Sequence, residues 1–517
     1  MLTDLSFIHI AVASVSSLVF IVVYYAVQWT RHEIRIRRTG GTRAHTLAND
    51  PITAMAWFYA AAKAQRNHQL LKHFDSFFDS APPECPNCVE IRFLPTERNI
   101  LTRDPEHVKV VLTTQFSDFG KGEKFHDLWR PFLGDSIFTT DGQLWHDSRG
   151  LIRPMFIKDR VSDLATFERW VSILLAILPP SGQTVNIMDL LYRMTLDVTT
   201  DFLLGASVDS LRNPKGEFVK AFNDVQRIQM MLTTVGPFRS LISRRAYNDG
   251  IKTIEQFIMP YIEQALALPQ EELEKLSNSD KHFTFLHSIA HYTRNRQVIR
   301  DQIIAVLLAG RDTTAATLSW AFYELSHYPE KYNKLRNEII DSVGRTRTPT
   351  YDDLKNMTYL RHTLNETLRL YPAVPFNIRT ALEDTTLPNG PGNPPIAVVK
   401  GDVVVYSSLA MHRRKDLYPP ASEKFENPAV FSPERWENWT PKPWQYLPFN
   451  GGPRICVGQN FAMTEMAYCM VRILQKYERI EYHGDWHAQL IETEIVGKPN
   501  KGVNVGLYEE PVKQFEI

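Results

Sequence analysis

The stretch Phe449–Gly458, F-N-G-G-P-R-I-C-V-G, restricts what this chain can fold into more than any other. Its Cys456 stands in a tight turn between glycines. Ala462, Met466, Met470, Ile473 and Leu474 then recur three and four apart, which predicts a buried helix starting at or just after the cysteine. A thiolate there lies near a helix N-terminus, where the backbone dipole favours negative charge. Gly452 and Gly458 have no side chains, so a flat cofactor can approach the backbone and amides can point at the sulfur. Arg454 is placed to hold an anionic edge of such a cofactor, and Phe449 to keep water from the sulfur. A buried free cysteine in a glycine-rich turn is the plainer alternative. No Gly-Lys-Ser/Thr follows, which excludes a P-loop.

The 517 residues suffice for about three ordinary domains or one large enzyme domain. A formal net charge of zero gives no global reason to expect a nucleic-acid partner. Four cysteines are too few for a disulfide framework in a chain this long. Cys85 and Cys88 form C-P-N-C without the second pair a zinc site needs, so they read as ordinary thiols near a strand, with a redox role as the alternative. Cys469 falls inside the apolar helix and reads as core.

Leu5–Trp29 carries no charged residue unless His9 is protonated. At about 1.5 Å per residue such a stretch spans a bilayer core, which predicts one N-terminal transmembrane helix; a buried core helix is the alternative. The preceding flank lacks the basic region of a cleavable signal. The following flank, R-H-E-I-R-I-R-R, sets four Arg against one Glu and places the body in the cytosol. Sequons at Asn356, Asn365 and Asn438 would then go unused. Residues 1–30 thus read as a membrane anchor, 31–84 as a basic juxtamembrane and linker region, and 85–517 as one domain.

Along the chain, Val89–Leu94 and Asn99–Thr102 alternate as short strands. Asp104 before Pro105 reads as a helix N-cap. Phe116–Gly142, rich in Gly, Asp and aromatics, reads as a long loop. Trp145 and Arg149 share a helix face, and an indole N–H beside a guanidinium suits a carboxylate partner; a surface cation–π pair is the alternative. Residues 160–290 read mostly as amphipathic helices, with the Met-bearing run Gln226–Phe238 lining a pocket or touching the membrane, or else plain core. Arg300–Tyr328 is a long helical pattern stopped by Pro329, with Gly310, Asp312 and Thr313 at its centre. Gly310 costs such a helix roughly 1 kcal/mol against Ala. Glu366 and Arg369 lie three apart on a further helix, where a solvated pair is the default. Pro388–Pro395 marks a turn between strands, and there is no internal repeat.

A cysteine thiolate in a dry, hydrogen-bonded pocket is an axial ligand of haem iron that favours O–O cleavage. The pattern F-x-x-G-x-R-x-C-x-G resembles the haem-ligand signature of the cytochromes P-450. Three further strings match that family in order: A-G-R-D-T-T, E-T-L-R and P-E-R-W. The resemblance covers about residues 85–510 and implies a mainly α, α+β fold, helix-rich with small β-sheets, behind the N-terminal transmembrane helix. It implies haem b on Cys456, with Trp145, Arg149, Arg454 and Arg379 towards the propionates. It further implies that Gly310 opens a groove for O2, that Thr313 hydrogen-bonds the reacting oxygen, and that Asp312 relays protons. Glu366, Arg369 and Arg435 would form a buried network holding the cysteine loop. Ala373–Thr380 would cross the haem face, with Val374, Phe376 and Ile378 as pocket wall.

No G-x-G-x-x-G occurs, so NADPH would deliver electrons through a separate NADPH–cytochrome P-450 reductase, with cytochrome b5 a further partner. Arg153, Lys158, Arg160, Arg413, Arg414 and Lys415 would form the docking surface. The finer strings, such as L-G-D-S-I-F-T-T-D-G-Q-L-W, look like the fungal and yeast branch that hydroxylates n-alkanes and fatty acids, although Gly451 replaces that branch's Ala. The expectation is therefore a single-pass endoplasmic-reticulum enzyme acting on an apolar small molecule at or near a chain end. Oxidation of a polyketide or terpenoid intermediate, rearrangement of a peroxide, and a non-catalytic membrane-anchored haem-binding protein are the other readings.

Overall fold

Val89–Leu94 and Asn99–Thr102 do pair antiparallel in a computed structural model of the protein, which describes residues 2–94, 97–157, 162–278, 283–422 and 425–510. The chain divides into two compact units. One is Met1–Ala64, Leu71–Gly122 and Phe376–Ser407; the other is Gln65–Leu70, Glu123–Pro375 and Ser408–Ile517.

The first unit is built on a six-stranded sheet. Its strands are β1 (His45–Ala48), β2 (Cys88–Leu94), β3 (Glu97–Thr102), β4 (Phe119–Gly120), β6 (Phe376–Ala381) and β9 (Val403–Ser407). They run in the order β1-β2-β3-β9-β6-β4, with β1–β2 and β3–β9 parallel and the other pairs antiparallel. Strands β7 (Thr385–Leu387) and β8 (Ile396–Val398) flank the expected Pro-rich turn. Asp104 caps its helix by accepting the Glu106 N–H. Cys88 is buried in the apolar cluster of this unit, with Cys85 packed against it.

The N-terminal helix runs continuously from Leu2 to Arg38. Its last turns are fixed to the sheet by buried charge. Arg98, with no exposed surface, meets Glu90 at 2.5 Å and Asp402 at 2.7 Å. Asp402 also meets His32 of the helix at 3.1 Å, and Arg92 donates to Glu33 at 2.7 Å while lying over the Trp29 ring. The described side chains of the preceding turns, such as Val19, Phe20 and Val22, are exposed. Among the described residues no helix is long and apolar enough to cross a membrane, so the expected span is not confirmed.

The second unit surrounds one central helix, Arg296–His327. Asn295 caps it by accepting the Gln297 and Val298 N–H groups, and Pro329 opens the next helix, Pro329–Val343. The N-terminal half of the central helix (Ile299, Ile303, Leu307) joins one apolar core, and its C-terminal half (Leu318, Phe322, Leu325) joins another. Ala309–Thr317, small and polar, belongs to neither, because it lacks the apolar bulk that would draw it into a core. Cys469 is core, as expected. Strands β5 (Thr184–Asn186), β10 (Tyr477–Tyr482) and β13 (Asn504–Glu509) form a small sheet, and β11 (Ile491–Thr493) and β12 (Gly497–Pro499) a hairpin.

The expected loop at Phe116–Gly142 is not one loop. Glu123–Leu133 is a helix, because Trp129, Phe132 and Leu133 supply a buried apolar face. Pro131 is tolerated within it close to its C-terminal end.

Candidate active site

The helix behind the cysteine spans Gln459–Lys476, with Gly458 as its N-cap. The turn before it is closed by the Cys456 N–H, which donates to the Phe449 carbonyl at 2.9 Å. Gly452 opens a short 3-10 turn at φ +64, a conformation that favours glycine. Phe449 thus contributes its carbonyl to the turn, whatever its ring covers. A Cβ at Gly458 would touch the Phe156 ring at 3.5 Å, an ordinary contact, so the protein itself does not demand glycine there.

Cys456 has an accessible side chain, yet burial pushes its thiol pKa up. The Gly458 amide and the Arg149 charge pull the pKa back towards the thiolate. Arg149, on the helix Gly142–Ile152, also donates to the Ile455 carbonyl at 3.0 Å. A soft sulfur carrying an amide N–H, next to cations and an indole, is a donor set that fits a flat anionic cofactor such as haem.

Two guanidiniums bracket the buried Trp145, Arg454 at 4.7 Å and Arg149 at 5.7 Å from its ring centre. Arg454 donates to Asp141 at 2.5 Å and to the Thr140 and Ile137 carbonyls. Asp141 therefore neutralises part of the charge that the sequence assigned to the cofactor edge.

Glu366 is fully buried and receives five donors. Arg369 forks onto both its oxygens at 2.7 and 2.8 Å, and Arg435, the Ser432 N–H and the Trp436 indole complete the set at 3.0–3.3 Å. Burial alone would raise the carboxyl pKa, but the two arginines hold it below the usual range. Contacts extend from the network to residues just before the cysteine turn. Trp436 packs on Tyr446, and Tyr446 donates to the Asn365 carbonyl at 3.1 Å. His412 Nε2 accepts the Leu447 N–H at 2.8 Å. Burial drives the His412 pKa down to about 3, so it stays a neutral acceptor. A lone histidine in M-H-R-R gives no signal of this.

Every residue of the central helix from Ile299 to Ser326 is buried except Ala309, Gly310 and Thr313, which share one partly accessible face. Thr313 Oγ1 donates back to the Ala309 carbonyl at 2.7 Å. On the opposing helix, Ile187–Leu204, Thr195 Oγ1 donates to the Arg311 carbonyl at 2.9 Å. A Cβ at Gly310 would lie 2.9 Å from Thr199 Oγ1. Close helix packing thus accounts for glycine at 310, independently of any groove. Asp312 is 4% exposed and beside Arg311 at 3.4 Å, and burial raises its pKa.

Arg379, Phe376 and Ile378 lie on β6 of the first unit. Arg379 is buried, and Phe376 packs edge-on against Phe74 at 5.1 Å. Val374 belongs to the second unit and is 36% exposed. Of the expected docking cations, Lys158 and Arg160 lie outside the described residues. Arg413 is not a docking charge: it donates to the Leu370 carbonyl at 2.6 Å and lies over Tyr371. Arg414 is tied to Asp416, which leaves Arg153 and Lys415 exposed.

A family profile described as Cytochrome P450 matches residues 57–506. The cytochrome P450 monooxygenase pvhE of Talaromyces variabilis is 44% identical, covering 98% of both chains. Cytochrome P450 52A13 of Debaryomyces hansenii is 36% identical over 88% of this chain and 90% of its own. Cytochrome P450 52A1 of Candida tropicalis is 42% identical over 74% of this chain and 73% of its own. This chain belongs to the cytochrome P450 family.

Proposed function

We propose that the protein hydroxylates a long apolar chain, an alkane or fatty acid, at or near its end. As a family member it is an oxidoreductase that carries haem on a cysteine thiolate and takes its electrons from a reductase. The haem supplies the oxygen-activating chemistry, R–H + O2 + two electrons + two protons giving R–OH and water. In this reading Cys456 would hold the haem iron, and the Gly458 amide and Arg149 would favour the anionic form of its sulfur. Trp145, Arg149, Arg454 and Arg379 orient the carboxylate edge. Thr313 offers a hydroxyl at the accessible face of the central helix, and Asp312 holds a proton next to it. Val374, Phe376 and Ile378 wall the substrate. Burying each CH2 contributes roughly 0.8 kcal/mol, so chain length sets affinity.

The observation that carries this reading is the partly accessible face Ala309–Gly310–Thr313 on an otherwise buried helix, in a unit that also holds an accessible, desolvated cysteine. The exposed apolar turns before the clamped residues His32 and Glu33 support a membrane anchor, with the body at the cytosolic face of the endoplasmic reticulum. A second reading, a different class of apolar substrate, draws on the pvhE relative, which matches over nearly all of both chains while the 52A relatives cover less.

The test is turnover by purified protein with reductase against alkanes and fatty acids of graded length, with products assigned by mass spectrometry. Terminal oxidation is expected. No product from any of them, with a spin-state shift on a polycyclic ligand, selects the second reading. Loss of the red-shifted ferrous–CO band in Cys456→Ser checks the ligand itself.

A further inference from the structure

Nothing in the catalytic reading uses the C-P-N-C motif. In the first unit it forms a tight turn: Pro86 and Asn87 reverse the chain between Cys85 and Cys88, and Cys88 starts β2. Proline second and asparagine third are residues that such a turn selects. A turn of this kind holds its first and fourth Cα atoms within about 7 Å. A disulfide bridges Cα atoms about 4.4–6.8 Å apart, so the turn brings the two cysteines into range. The turn is held from outside. The Asn87 carbonyl accepts the Thr102 hydroxyl and the Arg103 N–H, both at 3.1 Å, and Asn87 Oδ1 accepts Arg103 Nε at 3.0 Å.

The two sulfurs stand in unlike surroundings. Cys88 has no exposed surface and sits among Ile100, Phe119 and Val404, whereas Cys85 packs on that cluster and stays partly accessible. The Cys88 thiol hydrogen-bonds the Cys85 sulfur and lowers the Cys85 pKa, against burial and the Asp104 charge; the Cys88 N–H pulls the same way. That same contact with Cys85, together with burial, raises the pKa of Cys88. One cysteine is thus reachable and prone to ionise, and the other is a shielded thiol in contact with it. Redox-sensing cysteines have this asymmetry, an accessible thiolate next to a resolving partner.

We propose that Cys85 and Cys88 are a reversible thiol–disulfide pair, with Cys85 as the sulfur that peroxide attacks and Cys88 as the one that closes the bond. The Cys85 thiolate attacks one oxygen of hydrogen peroxide. The O–O bond breaks, the leaving hydroxide takes a proton to become water, and Cys85 becomes a sulfenic acid. The Cys88 sulfur then attacks that of Cys85. The S–O bond breaks, the S–S bond forms, and the departing hydroxide leaves as water with the proton of Cys88. Two thiols have lost two electrons and two hydrogens, and one peroxide has become two waters. A monooxygenase has this oxidant at hand, because O2 that takes two electrons and two protons without insertion is hydrogen peroxide. Two glutathione thiols return the pair to its reduced form and leave as glutathione disulfide. A body at the cytosolic face keeps the pair reduced at rest.

The test equilibrates haem-loaded parent protein with reduced and oxidised glutathione at graded ratios, quenches in acid, alkylates and reads the peptides by mass spectrometry. A Cys85–Cys88 bond is expected to form as oxidised glutathione rises and to disappear on adding dithiothreitol, with Cys469 reduced throughout. In the reduced parent, alkylation of Cys85 should be at least roughly tenfold faster than that of Cys88. After a stoichiometric pulse of peroxide, Cys88→Ser should stop at a Cys85 sulfenic acid that dimedone traps, and Cys85→Ser should leave Cys88 unmodified. The proposal is overturned if the parent forms no bond in fully oxidised glutathione, if the bond joins two chains, or if Cys88 reacts before Cys85. The glutathione and alkylation measurements need only the parent, so a variant that fails to fold leaves them decisive. They read two sulfurs and no turnover, and so stand apart from the substrate reading.

Discussion

The indole of Trp444 occupies the space that a methyl group on Gly451 would need: an ideal Cβ there lies 2.6 Å from Trp444 Cζ3 and 2.9 Å from Cη2. Trp444 reaches that place from a left-handed backbone, φ +73, unusual for a bulky residue. Glycine at 451 therefore has a steric cause inside this chain. Gly451→Ala should cost about 1–3 kcal/mol by overpacking. Trp444→Ala in the same chain should recover part of that loss, since touching residues are not additive. Chemical unfolding of the two single variants and the double variant measures the coupling; simple additivity would mean the two residues do not compete for space.

Removing one member of the Glu366 network leaves two arginines buried without their anion. Glu366→Ala should cost on the order of 3–5 kcal/mol. Little haem-loaded protein is expected on purification. A normal yield of loaded protein would show that Arg369 and Arg435 find other partners.

Thr313 Oγ1 bonds the Ala309 carbonyl in this structure, so its hydroxyl must turn away to serve a reacting oxygen. Thr313→Ala should keep haem content and CO band while product per NADPH falls roughly tenfold and peroxide rises. Thr313→Ser, which keeps the hydroxyl, should restore most of the coupling. An unchanged ratio in Thr313→Ala removes the residue from the reaction.

Glu324 gives the clearest pH dependence. Burial raises its pKa to about 7, against the opposing Tyr371 hydrogen bond at 2.5 Å and the Arg413 charge. The unfolded chain loses this proton near the ordinary carboxyl value while the folded chain keeps it. Stability contributed by the neutral form is therefore complete below that value and is lost as pH rises to about 7. Glu324→Gln should match the parent at pH 4 and exceed it at pH 8 by on the order of 3 kcal/mol. Thermal unfolding across that range reads the difference; parallel curves would place an ionised, compensated carboxylate at 324.

The motifs were legible because each packs its residue types into a short window. Cys456 with its glycines, the acid and threonines of the central helix and the Glu366–Arg369 pair all lie within a few positions of one another. The helix after the cysteine and the cap at Asp104 were legible for the same reason. What stayed hidden depends on contacts across long stretches of chain. Thr199 explains Gly310 from the other side of a helix pair, His412 acts through Leu447, and Arg98 finds Asp402 in the turn before β9. The strand V-E-I-R-F-L alternates correctly, yet Glu90 and Arg92 are fully buried. Only the arrival of the N-terminal helix and of Asp402 makes that face an interior.

Those buried charges also settle how the first thirty residues behave mechanically. His32 and Glu33 are gripped by Asp402 and Arg92 with no glycine or proline between them and the start of the helix. A joint of this kind has no swivel. The turns ahead of it extend about 40 Å, at 1.5 Å per residue. Any tilt imposed on that arm therefore becomes torque on the six-stranded sheet.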